Sequence, residues 1–166
     1  MKRAILASLI AVLACAAPLA AQSVLVVRHA ERADDGSGAA MMAGKDPDLS
    51  AAGHARAASL ASILKDADIT AIYVSEFKRT GQTAEPLAKA LGLKPTVVAA
   101  KQTAALVAAV RAASGNVLVV AHSDSIPVIL EALGVEGPSK IGEMEYDNLF
   151  VITRTPKPAL LRLHYR

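Results

Sequence analysis

One apolar run stops abruptly at an arginine and a histidine, and that junction constrains the chain more than any other feature. Val24-Leu25-Val26-Val27 reads as a buried strand, and Arg28-His29-Ala30-Glu31 follows with no spacer. Charged groups are seldom left at the end of a buried strand without partners, so the junction calls for an anion to meet it there. The pattern recurs far downstream, where Val117-Leu118-Val119-Val120-Ala121 runs straight into His122-Ser123-Asp124. Two apolar strands thus each deliver a histidine to a C-terminal end. In open parallel sheets those ends are where ligands bind.

Apolar runs alternate with helical patterns along the rest of the chain, which argues for an α/β architecture. Ser50 reads as the N-cap of a helix reaching about Lys65, with Leu60 and Leu64 on its apolar face. Ala71 to Val74 is a second strand ending at Ser75. A helix from about Lys78 to Leu91 is stopped by Gly92, a residue suited to a helix C-terminus. Thr96 to Val98 is a short strand, Thr103 to Ala113 a helix, and Ile126 to Leu133 a helix with Pro127 in its first turn. Leu149 to Thr153 and Leu160 to His164 form a closing hairpin or edge ribbon. Gly36 to Asp48, rich in Gly, Ala, Met and Asp, reads as a loop.

The first residues stand apart from this pattern. A basic start, Met1-Lys2-Arg3, precedes the apolar stretch Ala4 to Ala17 and the small residues before Gln22. That is the layout of a secretory leader, and the stretch is short for a membrane span. Cleavage after Ala21 is the expectation, leaving residues 22–166 as one domain in the periplasm or outside the cell, without stable membrane insertion. Lipidation at Cys15 is the alternative, but Leu13 stands where such signals carry a small residue. Cys15 is the single cysteine, so the remainder holds no disulfide and no cysteine nucleophile. Without Lys2 and Arg3 the 18 basic and 15 acidic residues become 16 against 15, which leaves no basic stripe for nucleic acid.

Three segments converge on strand ends: Arg28 to Arg32, Ser75 to Ala84, and Ala121 to Asp124. Arginine's planar fork matches phosphate oxygens and stays charged at every relevant pH. Arg28 and Arg32 end the first strand, and Arg79 opens a helix, where free N–H groups also favour an anion. His29 is then a candidate nucleophile towards phosphorus and His122 a charged clamp on the same group. Each has a plainer alternative: a structural Arg28–His29 pair, a core His122, a solvated Arg32. His54 reads as a surface helix residue and His164 as structural, while Glu143, Glu145 and Asp147 rim the pocket or lie in a solvated loop. No His-Glu-x-x-His pattern is present, and arginines repel a cation, so no metal and no cofactor is expected.

Arg28-His29-Ala30, Ser75-Glu76-Phe77-Lys78-Arg79-Thr80-Gly81-Gln82-Thr83-Ala84 and Val120-Ala121-His122-Ser123, in that order, resemble the three motif blocks of the histidine phosphatase superfamily. Alanine replaces the glycine of the usual Arg-His-Gly, as in its small members. The resemblance covers nearly all of residues 22–166. It implies a three-layer α/β/α sandwich with a mainly parallel sheet, a phosphohistidine intermediate at His29, and a small phosphorylated substrate held by Arg28, Arg32, Arg79 and His122. One part of the pattern is missing. Where mutases and many phosphatases carry a general-acid glutamate, Val97 to Thr103 has no carboxylate. Glu31 and Asp124 are the substitutes, with Glu31 preferred because it follows the nucleophile closely; Glu31 serves equally as a partner for an arginine, and Asp124 equally as a helix cap. A phosphoglycerate mutase-like phosphotransferase and a non-catalytic phosphate- or phosphoglycan-binding protein are the rival readings.

Overall fold

The computed structural model describes residues 22–34 and 46–166, so the expected leader and most of the expected Gly36–Asp48 loop lie outside the described residues. Ten elements follow in order: β1 (Gln22–Arg28), α1 (Ala51–Leu64), β2 (Ile69–Val74), α2 (Lys78–Leu91), β3 (Thr96–Val97), α3 (Thr103–Ala112), β4 (Asn116–Ala121), α4 (Ser125–Ala132), β5 (Asn148–Arg154) and β6 (Ala159–His164). The six strands form one sheet in the order β3-β2-β4-β1-β5-β6. The first four in that order run parallel, β5 pairs antiparallel with β1 and β6 antiparallel with β5, so the sheet is mixed. The expected closing hairpin is this β5–β6 pair.

The unbroken apolar run of β1 has a direct cause. Side chains alternate across a strand, and a strand covered on both faces needs apolar residues at every position. Leu25 and Val27 face one core, which packs Leu60 and Leu64 of α1 and Leu87 of α2. Val24 and Val26 face the other, with Val110 of α3 and Ile126 and Ile129 of α4. The result is the α/β/α sandwich. Each fully buried valine or leucine stabilises it by about 1.5–3 kcal/mol.

Local signals set the helix ends. Ser50 Oγ accepts from Gly53 N at 3.1 Å, capping α1. Gly92 sits at φ 65°, in the left-handed region, and closes α2, with Leu93 N donating to Ala88 O at 2.9 Å. Gly53 has a separate reason to be glycine. It is buried on α1, and a Cβ there would overlap the carbonyl oxygen of Glu31. Gly53→Ala should therefore destabilise the fold by about 1–3 kcal/mol despite alanine's better helix propensity, checked by urea unfolding.

The topology brings three strand ends together. β2, β4 and β1 are adjacent and parallel, with Val74 beside Val120 and Arg28 beside Ala121. Ser75, His122 and the Arg28–His29 junction therefore lie along one edge of the sheet. His29 N extends the ladder by donating to Ala121 O at 2.9 Å.

Candidate active site

An open cleft of about 730 Å³ lies over these strand ends, with Arg28, His29, Arg32, Arg79, His122 and Asp124 in its wall. Arg28 is buried at the last position of β1. Its Nη1 donates to Gly142 O at 2.9 Å and Glu143 O at 2.6 Å, and its guanidinium lies 4.0 Å from the centre of the Tyr146 ring. Its buried Nε finds no acceptor among the described residues. The same holds for Nε of Arg79, whose guanidinium stacks 4.3 Å from the Phe77 ring centre. Two guanidinium groups thus line one cleft, and their fixed charge suits it to an oxyanion.

His29 is also buried, 5.3 Å from His122 between ring centres. Its Nδ1 stands 2.8 Å from Ala30 O. A carbonyl only accepts, so Nδ1 carries the proton and Nε2 keeps its lone pair. Burial first, and then the Arg79 charge, push the His29 pKa down to about 3, against the opposing pull of the Ala30 bond. The ring is neutral near pH 7, and an imidazole with a bare Nε2 is a competent nucleophile.

Ala30 explains its own identity. It is fully buried against Leu49 and Ala57, and its N–H donates to Thr83 Oγ1 at 2.9 Å. Thr83 in turn donates to Arg79 O at 2.7 Å, which ties α2 to the end of β1. Arg79 reaches Asp46 at 3.7 Å and donates to His122 Nδ1 at 3.4 Å. Burial, then the like charge of Arg32, lower the Arg79 pKa below the usual guanidinium value. Arg32 itself pairs with Asp34 at 3.0 Å.

His122 differs from the sequence expectation of a charged clamp. Burial and the neighbouring Arg79 charge lower its pKa to about 4, so the ring is neutral at rest. Ser75 Oγ lies 2.9 Å from its Nε2, and the Phe77 ring stands edge-on 5.4 Å away.

Glu31 does not join the cleft. The chain turns at Ala30, and the Glu31 carboxylate accepts from Arg56 Nε at 2.9 Å and from Arg56 Nη2 at 2.6 Å. It borders a separate cleft beside α1. The arginine-partner reading is the one the geometry supports, with Arg56 as the partner. Asp124 does stand at the cleft, but not as a side-chain cap. It precedes α4 without a capping bond, and Ser125 Oγ instead accepts from His122 N at 3.1 Å. Glu76 lines the cleft with its carboxylate on Ala100 N at 2.7 Å. Glu143 is at the rim, whereas Glu145 pairs with Arg162 at 3.0 Å and Asp147 with His164 at 3.1 Å. His54 is exposed on α1, as read from sequence.

Sequence reasoning missed Ser75, Tyr146 and Arg56. Ser75 had a visible signal, since it follows β2 much as His122 follows β4. Tyr146 and Arg56 lie far along the chain from Arg28 and Glu31, with nothing local to link them.

A family model described as histidine phosphatase superfamily (branch 1) matches residues 24–100. Solved structures share the fold. A protein of Agrobacterium tumefaciens assigned as the phosphohistidine phosphatase SixA aligns with TM-score 0.64 and 24% identity over 86% of this chain and 97% of its own. The protein histidine phosphatase SixA complexed with tungstate gives TM-score 0.63 and 19% identity over 86% and 97%. The mycobacterial glucosyl-3-phosphoglycerate phosphatase with inorganic phosphate gives 0.64 and 17% over 85% and 96%. No curated protein matches the sequence. The segment that matches the histidine phosphatase superfamily carries the Arg28-His29 junction on β1 and Arg79 on α2, and the fold around them is shared with these structures.

Proposed function

We propose that the protein is an exported phosphatase that passes a phosphoryl group through His29. The observation that carries this reading is the neutral His29 with a bare Nε2 in one cleft with the guanidinium groups of buried Arg28 and half-buried Arg79. Nε2 attacks phosphorus, the bond from phosphorus to the leaving oxygen or nitrogen breaks, and the leaving group takes up a proton. Water then attacks the phosphohistidine, inorganic phosphate departs, and the Nε2 lone pair returns. Arg28, Arg79, Arg32 and His122 stabilise the oxygens by position and charge, the main requirement in phosphoryl transfer. No metal or cofactor is needed. The Val97–Thr103 segment contributes no carboxylate, which speaks against a mutase; Ala100 and Lys101 meet the cleft there. The substrates that suit such a site are phosphoramidates and phosphomonoesters with stable leaving groups.

The decisive experiment is rapid quenching without acid during turnover of an aryl phosphate. A covalent phosphate mapping to His29 is expected; a phosphorylated residue elsewhere would overturn the mechanism. For export, N-terminal sequencing of protein from the cell envelope should begin near Gln22, and an intact Met1 would exclude cleavage.

The proton donor follows from the same geometry. Asp124 borders the cleft and Glu31 does not. Asp124→Asn should slow an alkyl phosphate more than a nitrophenyl phosphate, by a factor of up to about 100. Glu31→Gln should lower the melting temperature and slow both substrates equally. Leaving-group discrimination in Glu31→Gln would reverse the assignment.

A further inference from the structure

We infer that Ser75 is a positioning residue whose hydroxyl turns over when an oxyanion enters the cleft, so that the proton of His122 moves from Nε2 to Nδ1 and a neutral imidazole donates to the anion. This rests on the reading that His122 and Arg79 hold phosphoryl oxygens.

The resting hydrogen bonds fix the starting state. Arg79 Nη2 is 3.4 Å from His122 Nδ1, and a guanidinium has no lone pair, so Nδ1 accepts. The proton of the neutral ring therefore sits on Nε2, where Ser75 Oγ accepts it at 2.9 Å. Ser75 Oγ also accepts from Phe77 N at 3.3 Å, which uses its second lone pair. Its own hydrogen is left for Thr80 Oγ1 at 3.0 Å. Thr80 spends its hydrogen on Phe77 O at 2.8 Å, so it is free to accept from Ser75. Every group in this chain is satisfied.

That state suits an empty cleft and opposes an anion. A bare Nδ1 lone pair beside an oxyanion is repulsive, and the Arg79 N–H spent on Nδ1 is withheld from the anion. The bond between Arg79 and Nδ1 is long and weak, so it yields readily. If Ser75 instead points its hydrogen at Nε2, Nδ1 takes the proton and faces the anion as a donor. One proton leaves Nε2 to solvent and one joins Nδ1, with no net uptake. The ring does not need to move, since it is held between the His29 and Phe77 rings. The rotor is a hydroxyl, which can both donate and accept, and it is the one that lies against Nε2. The charged groups that face His122 are Arg79, Arg28, Asp124 and Glu76, and they bias the ring without supplying a hydrogen bond to Nε2.

The test is a two-bond proton–nitrogen spectrum of the histidine-labelled protein at pH 7.5, with and without saturating inorganic phosphate. The expected His122 pattern is Nε2-protonated without phosphate and Nδ1-protonated with it. If the His122 signals move with phosphate but the proton stays on Nε2, or both nitrogens become protonated, the tautomer exchange is wrong. If phosphate binds and leaves them unmoved, the assignment of His122 to the anion site itself fails. Ser75→Ala leaves Nε2 without a donor, so bound phosphate should force proton uptake by His122. Phosphate affinity should then fall about tenfold below wild type at pH 8 and match it within about twofold at pH 5. Ser75→Thr keeps the hydroxyl and should restore the wild-type profile. An equal loss at both pH values would reduce Ser75 to a packing role.

Discussion

His29→Ala is expected to lower turnover by at least roughly four orders of magnitude while leaving the fold intact at neutral pH. The reaction has no substitute for the Nε2 lone pair. His122 is oriented by Ser75 and Arg79, and its lone pair faces Arg79 rather than a phosphorus atom. The fold does not depend on His29, because among the described residues its side chain makes one hydrogen bond, to the adjacent Ala30 carbonyl. Steady-state assays on an aryl phosphate, beside a melting curve, check both halves. Turnover within about tenfold of wild type would remove His29 from the chemistry.

Acid should unfold this protein earlier than its carboxylates alone would require. The folded-state pKa values of His29 and His122 lie at about 3 and about 4, below the usual 6.5, chiefly through burial. The unfolded chain therefore binds protons first as pH falls. The stability these two rings contribute is fully present above about pH 6.5 and is lost as pH falls from there towards the folded values. Each ring gives a slope of up to about 1.4 kcal/mol per pH unit in that window, so each costs up to about 2 kcal/mol between pH 6.5 and 5. Urea unfolding at a series of pH values measures the slope. His29→Ala should flatten it by about half and so become relatively more stable than wild type at pH 5. Parallel slopes for variant and wild type would show that the rings are not held neutral.

What was legible in the sequence was whatever depends on position along one strand. β1 and β4 are covered on both faces, so their runs are unbroken, and a charged residue after such a run stands out. Helix ends were legible at Ser50 and Gly92, where one residue type meets one backbone need. The direction in which a side chain leaves a turn was not legible. Glu31 stands two residues from His29, yet Thr83 pins the Ala30 amide and the carboxylate leaves towards Arg56. Asp124 was left open between acid and cap, and its side chain makes no capping bond to α4. Ser75 was readable in principle. It was passed over because a lone serine after a strand carries no charge to mark it.

The carbonyls of Gly142 and Glu143 that grip Arg28 come from more than a hundred positions downstream, at separations of 114 and 115 residues. A chain made only as far as α4 holds both histidines and Arg79, but its first arginine is still unanchored. The anion cradle is therefore among the last parts of the molecule to become complete during synthesis. A protein threaded through a narrow channel from its N-terminus would carry a silent site throughout transit. Its chemistry would begin only where the connection between α4 and β5 has come through and closed on β1.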